Sequence, residues 1–122
     1  MALFRVFLLV CLVAIAAYTS VTIANHGLNL LPVFFSDMAE MAWPGQFNLD
    51  FMGFLALSAI WVSWRHQFSG AGLALGVLAF FGGMLFLSIY LLVQISRCGG
   101  DVRVLLLGEA RSRADPPHQI RN

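Results

Sequence analysis

Three long hydrophobic runs occupy most of this sequence, at residues 3–24, 47–64 and 71–95. The polar segments between and after them are too short to fold alone. A hydrocarbon core about 30 Å thick needs about 20 helical residues, so each run has the composition and approximate length of a transmembrane helix. The pattern therefore predicts an all-α integral membrane protein with three spans. The second and third spans are expected to form a hairpin closed by a turn at residues 65–70.

The connection between the first two runs predicts a short helix. Residues 25–47 contain the turn-forming sequences Asn-His-Gly and Trp-Pro-Gly, and residues 32–42 between them are amphipathic. We expect this helix to lie in the interface plane, because a full crossing would place Asp37 and Glu40 in hydrocarbon. The two carboxylates, three residues apart, could chelate a divalent cation, although the wet face of an amphipathic helix is the favoured explanation.

The first run has an alternative interpretation as a cleaved signal peptide. Arg5 would form its n-region, residues 6–17 its apolar h-region, and the Ala-Ile-Ala sequence at 14–16 its cleavage site. A membrane span is favoured because hydrophobicity continues beyond that site to Ala24, which makes the run longer than an ordinary h-region.

The third run carries the clearest periodic pattern in the chain. At 100° per residue, its small and polar side chains fall on one side of a helix and include a Gly-x-x-x-Gly sequence. The predicted helix-packing residues are Gly72, Gly76, Ala79 and Gly83, and the same stripe continues through Phe86, Tyr90 and Gln94. Small residues let two helices approach closely in a bilayer. We expect the partner to be the small-residue face of the second span or the same face of another copy.

Polar residues from all three spans are predicted to meet at one membrane face, at the end opposite the turn. This candidate polar cluster comprises Tyr18, Thr22, Asn25, His26, Asp50, Tyr90 and Gln94. Polar groups inside a membrane are often functional, but hydrogen bonds that hold the helices together explain them as well. For Asp50, the favoured account is a position in the first turn of the second span, which Asn48 would cap.

Aromatic and basic residues mark the points where the predicted spans leave the membrane. Trp43 precedes the second span, while Trp61, Trp64 and Arg65 end it. Tryptophan rings and cations are typical of membrane interfaces. These four residues are therefore predicted interface anchors, and His66 is expected to belong to the same anchor.

Composition supports a single membrane domain and excludes several other classes. Of the 122 residues, 60% are hydrophobic and 11% are charged, with a mean hydropathy of +0.83 and a net charge of +1. We predict one transmembrane domain at residues 1–96 and a polar, partly disordered tail at 97–122. The sparse basic residues argue against a nucleic-acid partner, and we expect no cofactor or metal because the sequence contains no motif for one. Cys11 in the first span and Cys98 beyond the third are expected to be unpaired.

The charges give conflicting indications of orientation. Arg5 near the N-terminus and Arg65 at the turn favour a cytoplasmic position for both, and the first loop carries two acids and no arginine. Three spans would then send the tail, with its several arginines, to the opposite side. We favour a cytoplasmic N-terminus because the first span usually dominates and short loops have most influence.

The core resembles a bacterial family of small three-span membrane proteins of unknown function. The resemblance covers residues 4–95. It rests on Phe-Asn-Leu-Asp at 47–50, a tryptophan-rich apolar sequence ending in Arg65, and a third apolar span. It implies an architecture and an inner-membrane address, and no activity. The exclusive use of arginine among the seven basic residues also suggests a GC-rich bacterial genome.

Two classes of function follow from these patterns. The first is a non-enzymatic accessory protein that packs against itself or a larger membrane complex through the glycine stripe of the third span. The alternative is a membrane enzyme subunit or small carrier for a lipid or isoprenoid, in which Asp50 acts as an acid or proton carrier. An ion or proton pathway is disfavoured because few polar residues continue the cluster across the membrane.

Overall fold

The structure, a computed structural model, describes residues 1–114 of the chain. This part of the chain is all-α, as predicted. Its helices, in chain order, are α1 (Ala2–His26), α2 (Leu30–Ala39), α3 (Trp43–Arg65), α4 (Gly70–Arg97), α5 (Val102–Leu107) and α6 (Glu109–Ala114). Three of them, α1, α3 and α4, are long and apolar enough to cross a membrane, and the protein is therefore an integral membrane protein.

The helix boundaries follow ordinary local chemistry, with one correction. Gly27 ends α1 with φ at 73°, and the Ser69 side chain caps α4 by accepting a hydrogen bond of 3.1 Å from the backbone N–H of Gly72. The expected cap at Asn48 is wrong, because α3 already begins at Trp43. Asn48 lies inside α3 and donates its side-chain amide to the Phe34 carbonyl of α2, at 3.1 Å.

The predicted short helix between the first two spans is present as α2, and it packs against the start of α3. Gly45 is buried where the two helices cross. A Cβ atom added to it would lie 2.7 Å from the Cα of Met38, so a larger residue there would collide with the α2 backbone. The α2–α3 pair is therefore a tightly packed corner.

The third long helix, α4, reverses direction at Gly83. This residue has φ 57° and ψ −143°, which are not helical angles and which lie in the region that favours glycine. It divides α4 into a first arm at residues 70–82 and a second arm at residues 84–97.

Contacts with α3 show that the two arms are antiparallel. A Cβ atom on Gly72 would lie 2.7 Å from His66 Cβ at one end of α3, and one on Gly83 would lie 3.3 Å from Phe51 near the other end. Seven residues later the Tyr90 hydroxyl is again next to His66, 2.7 Å from its Nε2 atom. In a straight helix Gly72 and Tyr90 would be about 27 Å apart along the axis. The second arm therefore returns beside α3 to the end where α4 began.

This reversal brings the N-terminus, the α3–α4 turn and the tail to the same end of the molecule. Gly100, just after α4, lies close enough to Met1 that an added Cβ would be 3.5 Å from Met1 Cγ. We call this the turn end, and we call the opposite end, where α1 leads into α2, the far end. The expectation that the tail lies on the side opposite the N-terminus is wrong, because α4 reverses at Gly83 and does not continue as a third crossing.

The buried core is concentrated in the half of the molecule near the turn end. Its members come from α1, α3, both arms of α4 and α5, and they are Leu8, Val62, Ala79, Tyr90, Leu91, Ile95 and Leu105. Leu8 is the one fully covered residue of α1 in the described chain. The remainder of α1, from residue 13 onward, extends past this core with its side chains largely uncovered.

The tail up to residue 114 is helical and packed against the turn end. Leu105 is 4% exposed and belongs to the core, while Gly108 is buried against the Arg65 backbone. The partly disordered tail was predicted at 97–122, and its last part, 115–122, lies outside the described residues.

Candidate functional site

Arg65 is the centre of the most extensive polar arrangement in the described chain. Its side chain is buried, at 5% exposed, where α3 ends. Nε donates to the Leu105 carbonyl at 2.6 Å, Nη2 to the Val104 carbonyl at 3.2 Å, and Nη1 to the Tyr90 hydroxyl at 3.0 Å. A buried guanidinium needs partners for its donors, and these three bonds give each of its three nitrogens an acceptor without a carboxylate.

Two of the three acceptors of Arg65 belong to the C-terminal end of α5. A helix leaves its last carbonyls without backbone partners and carries partial negative charge there. Arg65 binds the carbonyls of Val104 and Leu105, and the indole N–H of Trp61 donates to that of Leu106 at 3.1 Å. Two side chains of α3 therefore cap α5, which explains how a helix as short as α5 is held in place.

The tail caps α3 in return. Arg111 of α6 donates to the backbone carbonyl of Trp64, in the last turn of α3. The same guanidinium lies over the Trp64 ring, 3.9 Å from its centroid, in a cation–π contact. We call the whole arrangement, which comprises Trp61, Trp64, Arg65, His66, Tyr90 and Arg111, the Arg65 clamp. It joins α3, the second arm of α4 and the tail.

His66 completes the hydrogen bonding of Tyr90. Because the tyrosine hydroxyl accepts from Arg65, its own hydrogen is free to be donated to His66 Nε2, 2.7 Å away. Burial lowers the pKa of His66, and the positive charges of Arg65 and Arg97 lower it further. The imidazole is therefore neutral at pH 7, as an acceptor in this bond must be.

The structure does not bring the seven residues of the candidate polar cluster together. Tyr90 is bonded to Arg65 and His66, and Gln94 lies one turn further toward the turn end. Asp50 lies fifteen positions before Arg65 on α3, which corresponds to about 22 Å along the axis. It is exposed and is far from Tyr90. The prediction failed because it placed the end of the third span opposite the turn.

The other four members of that cluster lie along an uncovered face of α1. Tyr18 is 78% exposed, and Thr22, Asn25 and His26 are exposed as well. The Thr22 hydroxyl donates to the Tyr18 carbonyl within the helix, at 2.9 Å. Within residues 1–114, no hydrogen bond joins these four residues to another helix. They form a polar stripe that no other helix of the described residues covers.

The glycine stripe of α4 is occupied by the protein's own α3. Gly72, Gly76 and Ala79 are buried, and a Cβ atom on Gly76 would lie 3.1 Å from the Ala59 carbonyl and in collision with the Ser63 side chain. The Ser63 hydroxyl also donates to the Gly72 carbonyl, at 3.3 Å. Gly83 differs from the other three because it forms the reversal. The stripe thus serves a contact within one chain.

The predicted interface anchors occupy both ends of α3. Trp43 begins the helix at the far end, is 71% exposed and stacks on Phe47 with ring centroids 6.0 Å apart. Trp61 and Trp64 are partly buried at the turn end, where both bind the tail. Arg65 differs most from expectation, because its cation points into protein and not toward headgroups.

The two acidic residues predicted on the short helix differ in their exposure. Asp37 is half-buried against α3 and Glu40, at the end of α2, is exposed. In the part of the chain that the structure describes, no three His, Cys, Asp or Glu side chains are grouped as metal ligands.

No family model matches this chain, and neither a curated protein nor a solved structure is similar to it. The resemblance to small bacterial three-span proteins therefore stays a prediction, and functional interpretation rests on the geometry described above.

Proposed function

We propose that this protein is a non-enzymatic membrane interaction subunit, and that it docks through the outer half of α1, residues 13–26. The glycine stripe of α4 favoured by the sequence pattern is occupied by α3, so it is no longer the preferred interface. The observation that carries the proposal is the polar stripe of α1, which no other helix within residues 1–114 covers.

Membrane chemistry supports a protein partner for this stripe. Lipid tails offer no hydrogen bonds, so a polar side chain facing them gains from meeting another helix. Asn25 carries an amide with two donors and an acceptor, and Ala14 and Ala17 beside the stripe permit close approach. A helix of similar character is the partner that fits.

We assign the partner position to a second copy of this chain. Two copies inserted in the same orientation carry each residue at the same depth, so a two-fold axis along the membrane normal brings Asn25 against Asn25 and Thr22 against Thr22. An amide can donate to and accept from another amide, which makes this stripe complementary to itself.

Disulfide crosslinking in membranes tests the assignment. In a background with Cys11→Ser and Cys98→Ser, Thr22→Cys is expected to form a disulfide-linked dimer on mild oxidation. The matched control is Ser20→Cys, because Ser20 is equally exposed but lies about 200° around α1 from Thr22. Adding Asn25→Leu to the Thr22→Cys variant is expected to lower the crosslinked fraction several-fold, since an interhelical hydrogen bond contributes about 1 kcal/mol.

Equal crosslinking at positions 20 and 22 would mean random collision and would overturn the dimer. Absence of crosslinking at position 22 would also overturn it. A photo-crosslinker at the same position that captured a different membrane protein would then identify a heterologous partner in place of the second copy.

The alternative function, a subunit or carrier that handles a lipid or isoprenoid through Asp50, has less support. It depended on a polar cluster around this carboxylate, and Tyr90 and Gln94 lie in the other half of the molecule. An Asp50→Asn variant that lost activity while keeping its abundance would restore this alternative.

We further propose a bacterial inner-membrane location with the turn end in the cytoplasm. Support comes from the arginines, because the reversal of α4 removes the conflict between the N-terminus and the tail. Arginine-rich segments of membrane proteins are retained on the cytoplasmic side.

A further inference from the structure

We infer that the groove between α3 and the second arm of α4 holds one acyl chain of an anionic phospholipid. The groove is separate from the α1 surface of the proposed dimer, since all of its lining residues belong to α3 and α4.

The groove has the size and lining of a small-ligand site. Its volume is about 570 Å³, within the range of roughly 300 to 1,000 Å³ that ligand sites occupy. Six of its lining residues belong to α3 and three to α4, and all of them are apolar except Ser58 and Trp61, each of which contributes one polar group. A site of this composition selects a hydrocarbon occupant.

The two polar groups in the groove are already used within the protein. The Ser58 hydroxyl donates to the Leu55 carbonyl at 3.0 Å, and the Trp61 indole N–H donates to the Leu106 carbonyl at 3.1 Å. A sugar or an extended peptide placed here would lose its hydrogen bonds to water and find no donor in exchange. A hydrocarbon chain has no such requirement.

The groove extends along the membrane normal through one leaflet. At its deep end an added Cβ on Gly83 would lie 3.3 Å from the Phe51 ring, and at the turn end Trp61 contacts Tyr90, with ring centroids 6.3 Å apart. Ten helical residues separate Phe51 from Trp61, which corresponds to about 15 Å, or half of a hydrocarbon core about 30 Å thick. An acyl chain of this leaflet has the same direction and depth. A membrane-spanning helix of another protein would continue beyond the deep end.

The rim of the groove is continuous with the lipid-facing surface of α3. Phe54 and Leu57 line the groove and are nevertheless exposed, at 64% and 61%. Since α3 is one of the membrane helices, this exposed rim faces the bilayer. A chain can therefore enter the groove sideways from the surrounding lipid.

The charge of the turn end favours an anionic headgroup on this lipid. Within residues 1–114, the turn end carries six arginines and two acids, a formal charge of +4, and the far half carries three acids and no arginine. The arginines are Arg5, Arg65, Arg97, Arg103, Arg111 and Arg113, and the acids are Asp101 and Glu109 at the turn end and Asp37, Glu40 and Asp50 in the far half. A phospholipid whose chain lies in the groove has its headgroup at the turn end, where a positive surface attracts anionic lipids.

A phosphatidylglycerol with a diazirine in one acyl chain tests the site in proteoliposomes of the full chain. After illumination, mass spectrometry is expected to find several-fold more adducts at Met84 and Leu87, which line the groove, than at Ile89 and Val93. The latter two lie on the same arm and are exposed, but do not line the groove. Equal labelling of the two pairs would show that any surrounding lipid reacts, and would overturn the site.

A variant that fills the groove provides a second test. Ser58→Phe places a ring inside the groove and is expected to reduce the adducts at Leu87 several-fold. The matched control is Ala56→Phe, because Ala56 is also small but is exposed and lies about 200° around α3 from Ser58. Unchanged adducts in Ser58→Phe, or equal losses in both variants, would overturn the site. Circular dichroism checks folding, and the adduct map of the unchanged protein is decisive even if Ser58→Phe does not fold.

Competition with unlabelled lipids tests the headgroup. Phosphatidylglycerol is expected to displace the labelled lipid several-fold better than phosphatidylcholine, since each basic residue near an anionic surface strengthens association about fivefold. Equal displacement would overturn the anionic assignment. A photo-crosslinking amino acid at Leu57 that captured a second copy or another protein in membranes would overturn the lipid and place a helix in the groove.

Discussion

The Arg65 side chain shows how one buried cation can organise several elements. It lies where α3 ends, yet its contacts are with the second arm of α4 and with α5. Burying a guanidinium is costly, and the cost is offset only if its neighbours stay in place. The position of the tail is therefore tied to this residue.

We predict that Arg65→Met, a change at a single residue, releases the tail. The variant leaves the Leu105 carbonyl without its partner, while the Val104 carbonyl keeps its bond from the Gly108 backbone N–H. An orphaned buried carbonyl costs about 1 to 3 kcal/mol. Thermolysin, which cleaves before apolar residues, should then cut within Val102–Leu107 about tenfold faster or more than in the unchanged protein.

Two further variants serve as controls for Arg65→Met. Arg113→Met, at an exposed ion pair, should leave the cleavage rate unchanged because such pairs contribute little. Arg65→Lys should fall between the two, since an ammonium can donate to one carbonyl but cannot reproduce the guanidinium fork. Protection of α5 in Arg65→Met would show that the tail is held by apolar packing alone.

Much of this site could not be predicted from sequence. Trp61, Trp64 and Arg65 were recognisable as a group, but the pattern assigned them to lipid headgroups. The true acceptors of Trp61 and Arg65 are backbone carbonyls some forty residues later, and carbonyls carry no sequence signature. A partial signal existed in Asp101, which caps α5, and Gly108, which ends it with φ at 85°. These two residues predict a helix there but not its place of docking.

At the scale of helices, the first arm of α4 depends on close approach to α3. Gly76 meets the Ala59 carbonyl and the Ser63 side chain without room for a methyl group. We predict that Gly76→Ala lowers the thermal unfolding temperature in detergent, with a loss of about 1 to 3 kcal/mol from forced separation of the helices.

Gly53→Ala is the matched control for this substitution. Gly53 also lies within a long helix, but an added Cβ meets nothing within 4 Å. Alanine favours a helix over glycine by about 1 kcal/mol, so the control should keep or raise stability. Similar effects of the two substitutions would mean that helix propensity, and not close packing, determines the result at Gly76.

The extent of the helices was largely predictable, whereas their course was not. The three apolar runs correspond to α1, α3 and α4, because length and hydrophobicity are local properties. Gly83 fitted the periodic stripe of α4 perfectly well as a packing residue. A glycine at that position is compatible with both a continuous helix and a reversal, and the choice between them depends on contacts of Tyr90 with Arg65 and His66 that no local pattern contains.

For the molecule overall, the reversal of α4 predicts that the tail lies on the same side of the membrane as the α3–α4 turn. In a background without native cysteines, single cysteines can be placed at Gln67 in the turn, Ala39 in α2 and Arg113 in α6. All three positions are exposed. A membrane-impermeant maleimide should label Gln67→Cys and Arg113→Cys from the same side of the membrane, and Ala39→Cys from the other.

This experiment separates the two possible courses of α4. A third span that crossed without reversing would place Arg113→Cys on the side of Ala39→Cys. That outcome would contradict the antiparallel arms, and it would also remove the second arm from the side of α3. Labelling in intact cells and in inverted vesicles would further identify which side is cytoplasmic.

The two arms of α4 also give the molecule unequal widths at its two ends. Four helical segments lie side by side near the turn, namely the start of α1, the end of α3 and both arms. Beyond Gly83 there are three, because α1 and α3 continue and only the ten-residue α2 packs beside them. In a bilayer such a wedge occupies more area in one leaflet than in the other. We therefore expect the protein to be more abundant where the leaflet that contains its broad end is stretched. The convex side of a curved membrane is such a place.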